Sequence, residues 1–196
     1  MLLEFMCSNH KSIKDKIVFS ALAGSDNTND DMTEKIAGVK VLKSAVIYGA
    51  NGSGKSNFID AISFVKNLVV NSITHQPGQG IRQIPHKLSE LGSESTYQVQ
   101  FVIKGIRYVF GFSLKNLLVS EEYLYYFPNG RQAKIFDRKD EKFTVGSKFR
   151  GKFSSCKDVL KPNRLLLSCA ANFTAVEEVA DAFSFFNNEL VVYGAE

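Results

Sequence analysis

Ala45-Val-Ile-Tyr-Gly-Ala-Asn-Gly-Ser-Gly-Lys-Ser56 is the stretch on which the reading of this chain turns. From Gly49 to Ser56 it spells GxxxxGK[ST], the P-loop pattern. Just before it, Ala45-Val-Ile-Tyr48 is short, β-branched and non-alternating, which predicts a strand buried on both faces of an α/β sheet. After it, Phe58, Ile59, Ala61, Ile62, Val65, Leu68 and Val69 recur at three- and four-residue spacing, which predicts an amphipathic helix running to about Asn71. Strand, glycine loop and helix in this order are the context the motif requires.

The spelling follows from the chemistry. A bound triphosphate needs a concave array of backbone N–H donors, and glycines at 49, 52 and 54 let the main chain curl close to the phosphates where a side chain would obstruct it. The positive end of the following helix adds to the attraction. The expected nucleotide contacts are Asn51, Gly52, Ser53, Gly54, Lys55, Ser56 and Asn57, with Lys55 reaching the β and γ phosphates of ATP and the Ser56 hydroxyl ligating Mg²⁺.

Working outward, Leu3, Phe5 and Cys7 alternate with more polar neighbours and predict a strand, and Lys16 to Leu22 predicts a second beyond the turn-like Ser8-Asn-His-Lys-Ser12. Gly24 to Glu34 is dense in Asn, Asp, Ser and Thr and reads as a surface loop. Thr74 to Glu94, with two prolines and three glycines, reads as an irregular crossover. From Thr96 to Val145 the period becomes two, with turns at Lys104-Gly105, Pro128-Asn-Gly130 and Lys139-Asp-Glu141, so an antiparallel meander is expected. Helices return after Ser154, one of them introduced by a capping-box candidate, Thr174-Ala-Val-Glu177, and Leu190 to Tyr193 reads as the start of a strand. The expected organisation is residues 1–95 as a P-loop core, 96–150 as an antiparallel lobe, and 151–196 as a helical segment leading to a strand.

At 196 residues, 44% hydrophobic and 22% charged, the composition excludes disordered and low-complexity classes. No apolar run approaches the roughly 20 residues that span a bilayer, and Glu4 stands where a secretory signal would be basic, so a cytoplasmic address is expected with no membrane partner. Cys7, Cys156 and Cys169 are odd in number and lack CxxC spacing, which signals neither a disulfide framework nor zinc. His10, His75 and His86 do not cluster in sequence and read as ordinary histidines. Charge is uneven under the net +4: Arg131 to Lys152 holds eight basic residues against three acidic, whereas Ala170 to Glu196 holds five acidic residues and none that is basic. The basic run, Arg131, Lys134, Arg138, Lys139, Lys142, Lys148, Arg150 and Lys152, is a candidate nucleic-acid surface; the alternative is a solvated face.

Tyr48 to Ile62 resembles the opening of ABC-type ATPase heads of the RecF and SMC kind, whose P-loop is commonly spelled GxNGSGKSN and runs into a helix with an acidic residue before Ala-Ile. The start, Leu2-Leu-Glu-Phe with Ser8-Asn-His-Lys-Ser-Ile-Lys14, is similar to the N-terminal strand and NFRSI turn of bacterial ATPases related to RecF and to the OLD nucleases, except that His10 and Lys11 stand where Phe and Arg are usual. Ile135-Phe-Asp-Arg138 also resembles their antiparallel lobe. The resemblance implies an α/β, ABC-ATPase-like half-domain with an antiparallel β-meander lobe and C-terminal helices. It further implies ATP and Mg²⁺ as cofactors, ATP sandwiched between two heads of a homodimer in a full-length protein, and a DNA-related or anti-phage role.

The resemblance also asks for a Walker B strand ending in Asp-Glu and for a distant signature loop, and neither is recognisable here. Leu88-Ser-Glu-Leu-Gly92 lies too close to the P-loop to serve, and Leu190-Val-Val-Tyr-Gly194 leads to glycine. Asp60 reads as solvated helix surface, and Gln76, Gln79 and Gln83 are equivalent candidates for a Q-loop glutamine. The expectation is an N-terminal portion of a longer ATPase that binds ATP without turning it over. Two alternatives stay open: a nucleic-acid-binding module with a subordinate P-loop, and another P-loop NTPase or kinase.

Overall fold

Consecutive strands of alternating pattern need only tight turns to pair, and this sequence supplies them. The computed structural model, which describes residues 1–24 and 30–193, has a seven-stranded sheet as its frame. Its strands are β1 (Leu2–Ser8), β2 (Ile17–Ser20), β5 (Ser95–Ile103), β6 (Ile106–Lys115), β7 (Leu118–Tyr126), β8 (Ala133–Lys139) and β9 (Lys142–Val145). They lie in the order β2-β1-β5-β6-β7-β8-β9, with every neighbouring pair antiparallel. A separate hairpin, β3 (Thr33–Ile36) and β4 (Val39–Leu42), stands beside it. Lys104 and Gly105 both take positive φ, 49° and 74°, as the two-residue turn from β5 to β6 demands.

The register explains the core. Phe19, Phe5, Val99, Phe110, Leu124, Phe136 and Val145 are cross-strand neighbours in one row from edge to edge of the sheet. Since side chains alternate in direction, the rows two residues away share that face, and they carry Tyr97, Phe101, Tyr108 and Phe112, all buried. The opposite face is more polar: Gln98, Gly111, Tyr123 and Asp137 form one of its rows. Gly111 is required there, because a Cβ would lie 2.3 Å from the Tyr123 hydroxyl, which crosses over it to donate to Gln98 Oε1 at 2.7 Å.

Helices cover the apolar face. These are α1 (Lys55–Asn71), α2 (Cys156–Val159), α3 (Leu166–Phe173) and α4 (Glu177–Ser184), the last continuing into a π turn, Phe185–Glu189. The helix expected after the glycine loop is α1, and it buries Phe58, Ala61, Ile62, Val65, Leu68 and Val69. Phe58 meets Phe5 edge-on at 5.5 Å, and Phe185 stacks on Phe101 at 4.1 Å and 10°. Such aromatic pairs add roughly 0.5–1.5 kcal/mol each beyond the area they bury. Of the expected surface loop at 24–34, residues 25–29 lie outside the described residues, and Asp30–Met32 forms a 3-10 turn leading into β3.

Three local expectations are corrected. Ala45–Tyr48 is not a buried strand: it has no strand assignment, and Val46 and Tyr48 are 85% and 90% exposed. Its composition suits a strand between parallel neighbours, but the sheet that forms is antiparallel with one face wet, and no described strand lies alongside to accept its backbone groups. Leu190–Tyr193 is likewise outside every strand, with Val191 and Tyr193 exposed. The Thr174–Glu177 capping box does not form. Val176 is the N-cap of α4 without a side-chain bond, because the Thr174 hydroxyl donates backwards to Ala170 O at 2.7 Å. Among the described residues no helix is long and apolar enough to cross a membrane.

Candidate functional site

The glycine loop wraps the start of α1. Gly52 and Gly54 have φ of 80° and 97°, values that suit glycine; a Cβ on Gly52 would meet nothing within 4 Å, whereas one on Gly54 would lie 3.1 Å from Ser12 Oγ. Ser53 N–H donates to Ala50 O at 3.2 Å, and Phe58 N–H to Gly54 O at 3.0 Å, which closes the first turn of α1. Lys55 folds back over the loop, its ammonium donating to Gly49 O and Ala50 O, both at 2.7 Å. Asn51, Gly52, Ser53 and Ser56 are exposed, while Asn57 donates to Ser12 Oγ at 2.6 Å. The seven residues expected to contact nucleotide are thus contiguous around the mouth of α1.

Two clefts flank Lys55. One, of about 620 Å³, runs from Ser53 and Gly54 along Ser12–Asp15 to the β2 edge and Tyr48. The other, of about 650 Å³, is lined by Lys11, Lys55, Ser56, Asn57 and Asp60, with Ala45, Ile47, Val192 and Tyr193 at its apolar side. The two extended segments that do not join the sheet therefore meet at the second cleft.

The β1–β2 connection braces this site with three consecutive side chains. His10 is 2% exposed; its Nδ1 lies 2.8 Å from the Tyr97 hydroxyl and its Nε2 lies 2.9 Å from Asp60 Oδ2. Lys11 Nζ lies 2.6 Å from Asp60 Oδ1, and Ser12 takes the bond from Asn57. Burial lowers the His10 pKa below its ordinary 6.5, outweighing the nearby Asp60 charge. Burial pushes the Asp60 carboxyl up, but the bonds from Lys11 and His10 outweigh it and the group lies below its ordinary 3.8. Asp60, read from sequence as solvated surface, is in fact held at both oxygens although its side chain is 41% exposed. Nothing in sequence spacing joins position 10 to position 60; only the pairing of β1 with β5 beneath α1 does.

Asn9 ties the same turn to the crossover. Its side-chain amide donates to Ser93 O and Glu94 O, both at 3.2 Å, and its Oδ1 accepts from His86 N–H and the Ser89 hydroxyl. Lys11 N–H donates to Ile84 O at 2.8 Å. Of the three glutamines, Gln76 and Gln79 sit past the C-terminal end of α1, where their carbonyls accept from Asn163, and His75 bonds Asn163 O nearby. Gln83 stands next to Ile84, with its Oε1 buried and without a partner among the described residues.

The basic run divides. Arg138 is not on the surface: it is buried against Glu122 at 3.3 Å and donates to the carbonyls of Asp140, Lys161 and Arg164. It sits on the core face because it is the cross-strand partner of Glu122, two positions from the Leu124–Phe136 row. Glu122 in turn accepts the N–H groups of Leu166 and Leu167 at the start of α3, 2.6 and 2.8 Å away, and burial raises its pKa against the pull of Arg138 and those amides. Lys134 pairs with Asp137 at 2.8 Å and Lys148 with Glu178. Arg131, Lys139, Lys142, Arg150 and Lys152 are exposed. The cysteines are buried, and burial pushes their thiols up to about 11 for Cys7 and Cys156 and about 12 for Cys169, which disfavours the thiolate form.

A family model described as "AAA domain, putative AbiEii toxin, Type IV TA system" matches residues 44–150. No curated relative matches the chain. The matched span takes in the whole glycine loop, α1, the crossover and the meander through β9, more than half of the 196 residues. With an α/β architecture of a mainly antiparallel sheet under several helices, this chain belongs to that family of P-loop AAA domains.

Proposed function

We propose that the chain binds Mg-ATP at Asn51–Asn57, as the nucleotide-binding part of an ATPase of the ABC-type, RecF/SMC/OLD-like kind. The observation that carries this is the loop itself: two glycines at positive φ curl the chain into the head of a helix of 17 residues, with the Lys55 ammonium folded back over the loop. Lys55 exchanges its two loop carbonyls for phosphate oxygens, a charge-assisted bond in place of neutral ones. Ser56, exposed at the first turn, would hold the metal, which would supply positive charge to offset that of the outer phosphates. The cleft beside Tyr48 and Phe58 offers apolar walls to a nucleoside. Gln83, whose neighbour bonds the N-terminal turn, is the glutamine best placed to couple the crossover to the site.

Hydrolysis, dimerisation through sandwiched nucleotide, the three-part division at 95 and 150, a cytoplasmic address and a DNA-related or defence role belong to the same reading of a full-length protein. For residues 1–196 alone we infer binding with negligible turnover, because Asp60, the carboxylate nearest Ser56 along α1, is already engaged at both oxygens. The alternative of a nucleic-acid module is left with a reduced set, Arg131, Lys139, Lys142, Arg150 and Lys152. Titration calorimetry is the test: Lys55→Ala should abolish Mg-ATP binding in the concentration range where the unchanged chain saturates. Equal affinities would overturn the P-loop reading, and turnover by residues 1–196 near about 1 per second, the low end of ordinary enzymes, would overturn the claim about hydrolysis.

A further inference from the structure

Asp60 poses an electrostatic problem for the site just proposed. It lies one helical turn beyond Ser56, so the two side chains share a face of α1 and line one cleft with Lys55. A carboxylate left loose there faces the terminal phosphate as one anion to another, and competes with the nucleotide for the metal. Holding it away takes donors at both oxygens. An arginine supplies two from one planar fork; a lysine is a point donor and satisfies one. Here Lys11 takes Oδ1, and the second oxygen falls to His10.

The ring is built for that task. A carboxylate only accepts, so His10 Nε2 carries the hydrogen; the neutral ring then accepts at Nδ1 from the Tyr97 hydroxyl. Phe64 and Tyr97 pack against it at 5.8 and 5.7 Å between ring centres, and its 2% exposure leaves no room to turn away. We propose that His10 is a positioning residue of the phosphate site: with Lys11 it forms a divided fork that holds the Asp60 carboxylate against the β1–β2 turn and clear of the terminal phosphate. The effect on nucleotide rests on the ATP-binding reading above, whereas the fork itself does not.

The test is a compensation experiment. His10→Phe keeps an aromatic ring in the slot and removes the donor, and should weaken Mg-ATP binding roughly three- to tenfold, the scale of one ordinary hydrogen bond, with little change for Mg-ADP, which lacks the terminal phosphate. Adding Lys11→Arg, whose fork can take both oxygens, should restore the affinity, while the unfolding midpoints confirm that both variants fold. Unchanged Mg-ATP affinity in His10→Phe, or a loss that Lys11→Arg does not restore, would overturn the proposal. Nitrogen-15 NMR of the His10 ring reads the fork without nucleotide. A downfield, hydrogen-bonded Nε2–H proton that moves upfield in Asp60→Ala supports it, and an unchanged Nε2–H signal overturns it even if Mg-ATP binds; absence of Mg-ATP binding to the unchanged chain would sink the nucleotide reading instead.

Discussion

A buried neutral histidine facing an ionised aspartate gives the molecule two separate pH windows. For His10 the folded pKa lies below the unfolded 6.5, so the unfolded chain takes up the proton first as pH falls. Stability is complete above 6.5 and declines below it until the folded pKa is reached. For Asp60 the folded pKa lies below 3.8, so its contribution is present above that value and is lost only as pH falls further. Lys11 and the Tyr97 hydroxyl are the other groups facing this pair. Urea midpoints measured from about pH 7.5 down to about pH 5 should therefore fall for the unchanged chain and fall less for His10→Phe, which has no proton to accept. Equal slopes would show that the imidazole does not sense its burial.

Glu122 and Arg138 show the same logic at the scale of an element. One strand pair on the core face places them opposite each other, and the carboxylate closes the buried N-terminal end of α3, a helix whose N-cap, Leu165, has no side-chain acceptor to offer. Glu122→Ala should cost about 3–5 kcal/mol, since it leaves a guanidinium buried without its counter-charge. Replacing both by apolar residues, Glu122→Leu with Arg138→Met, should cost less than the single change; chemical denaturation measures both. This pair also marks where sequence was legible. The meander, α1 and the glycine loop could be read because period and turn chemistry are local properties, visible in Tyr97-Val99-Phe101 or in Lys104-Gly105. Arg138 read as surface because its burial depends on Glu122 and on carbonyls as far along the chain as Arg164. Ala45–Tyr48 read as a buried strand because apolar content reports what a segment prefers, and whether a partner strand lies beside it is decided elsewhere in the chain. The His10–Asp60 link lay hidden for the same reason: it spans 50 residues.

At the scale of the whole molecule, β1 is inserted between β2 and β5, and this has a consequence in time. Strands β5 to β9 pair each with its successor across short turns, so their contacts form at little cost in chain entropy. The β1–β5 contacts join residues such as Glu4 and Gln100, 96 apart, and closing a loop that long costs roughly 4 kcal/mol before any contact repays it. The meander is therefore expected to assemble first and β1 to dock on it afterwards, bringing His10, Lys11 and Ser12 to α1 only then. Pulse-labelled hydrogen exchange during refolding should protect the amides of Tyr108 and Phe110 before those of Phe5 and Cys7; simultaneous protection would refute the order. In a growing chain β1 is made well before β5 and waits until β5 has emerged, so the glycine loop is left without its brace while the intervening residues are made. A nascent chain of this kind closes the clefts around Lys55 only as a late event, gated by the arrival of a strand that lines neither of them.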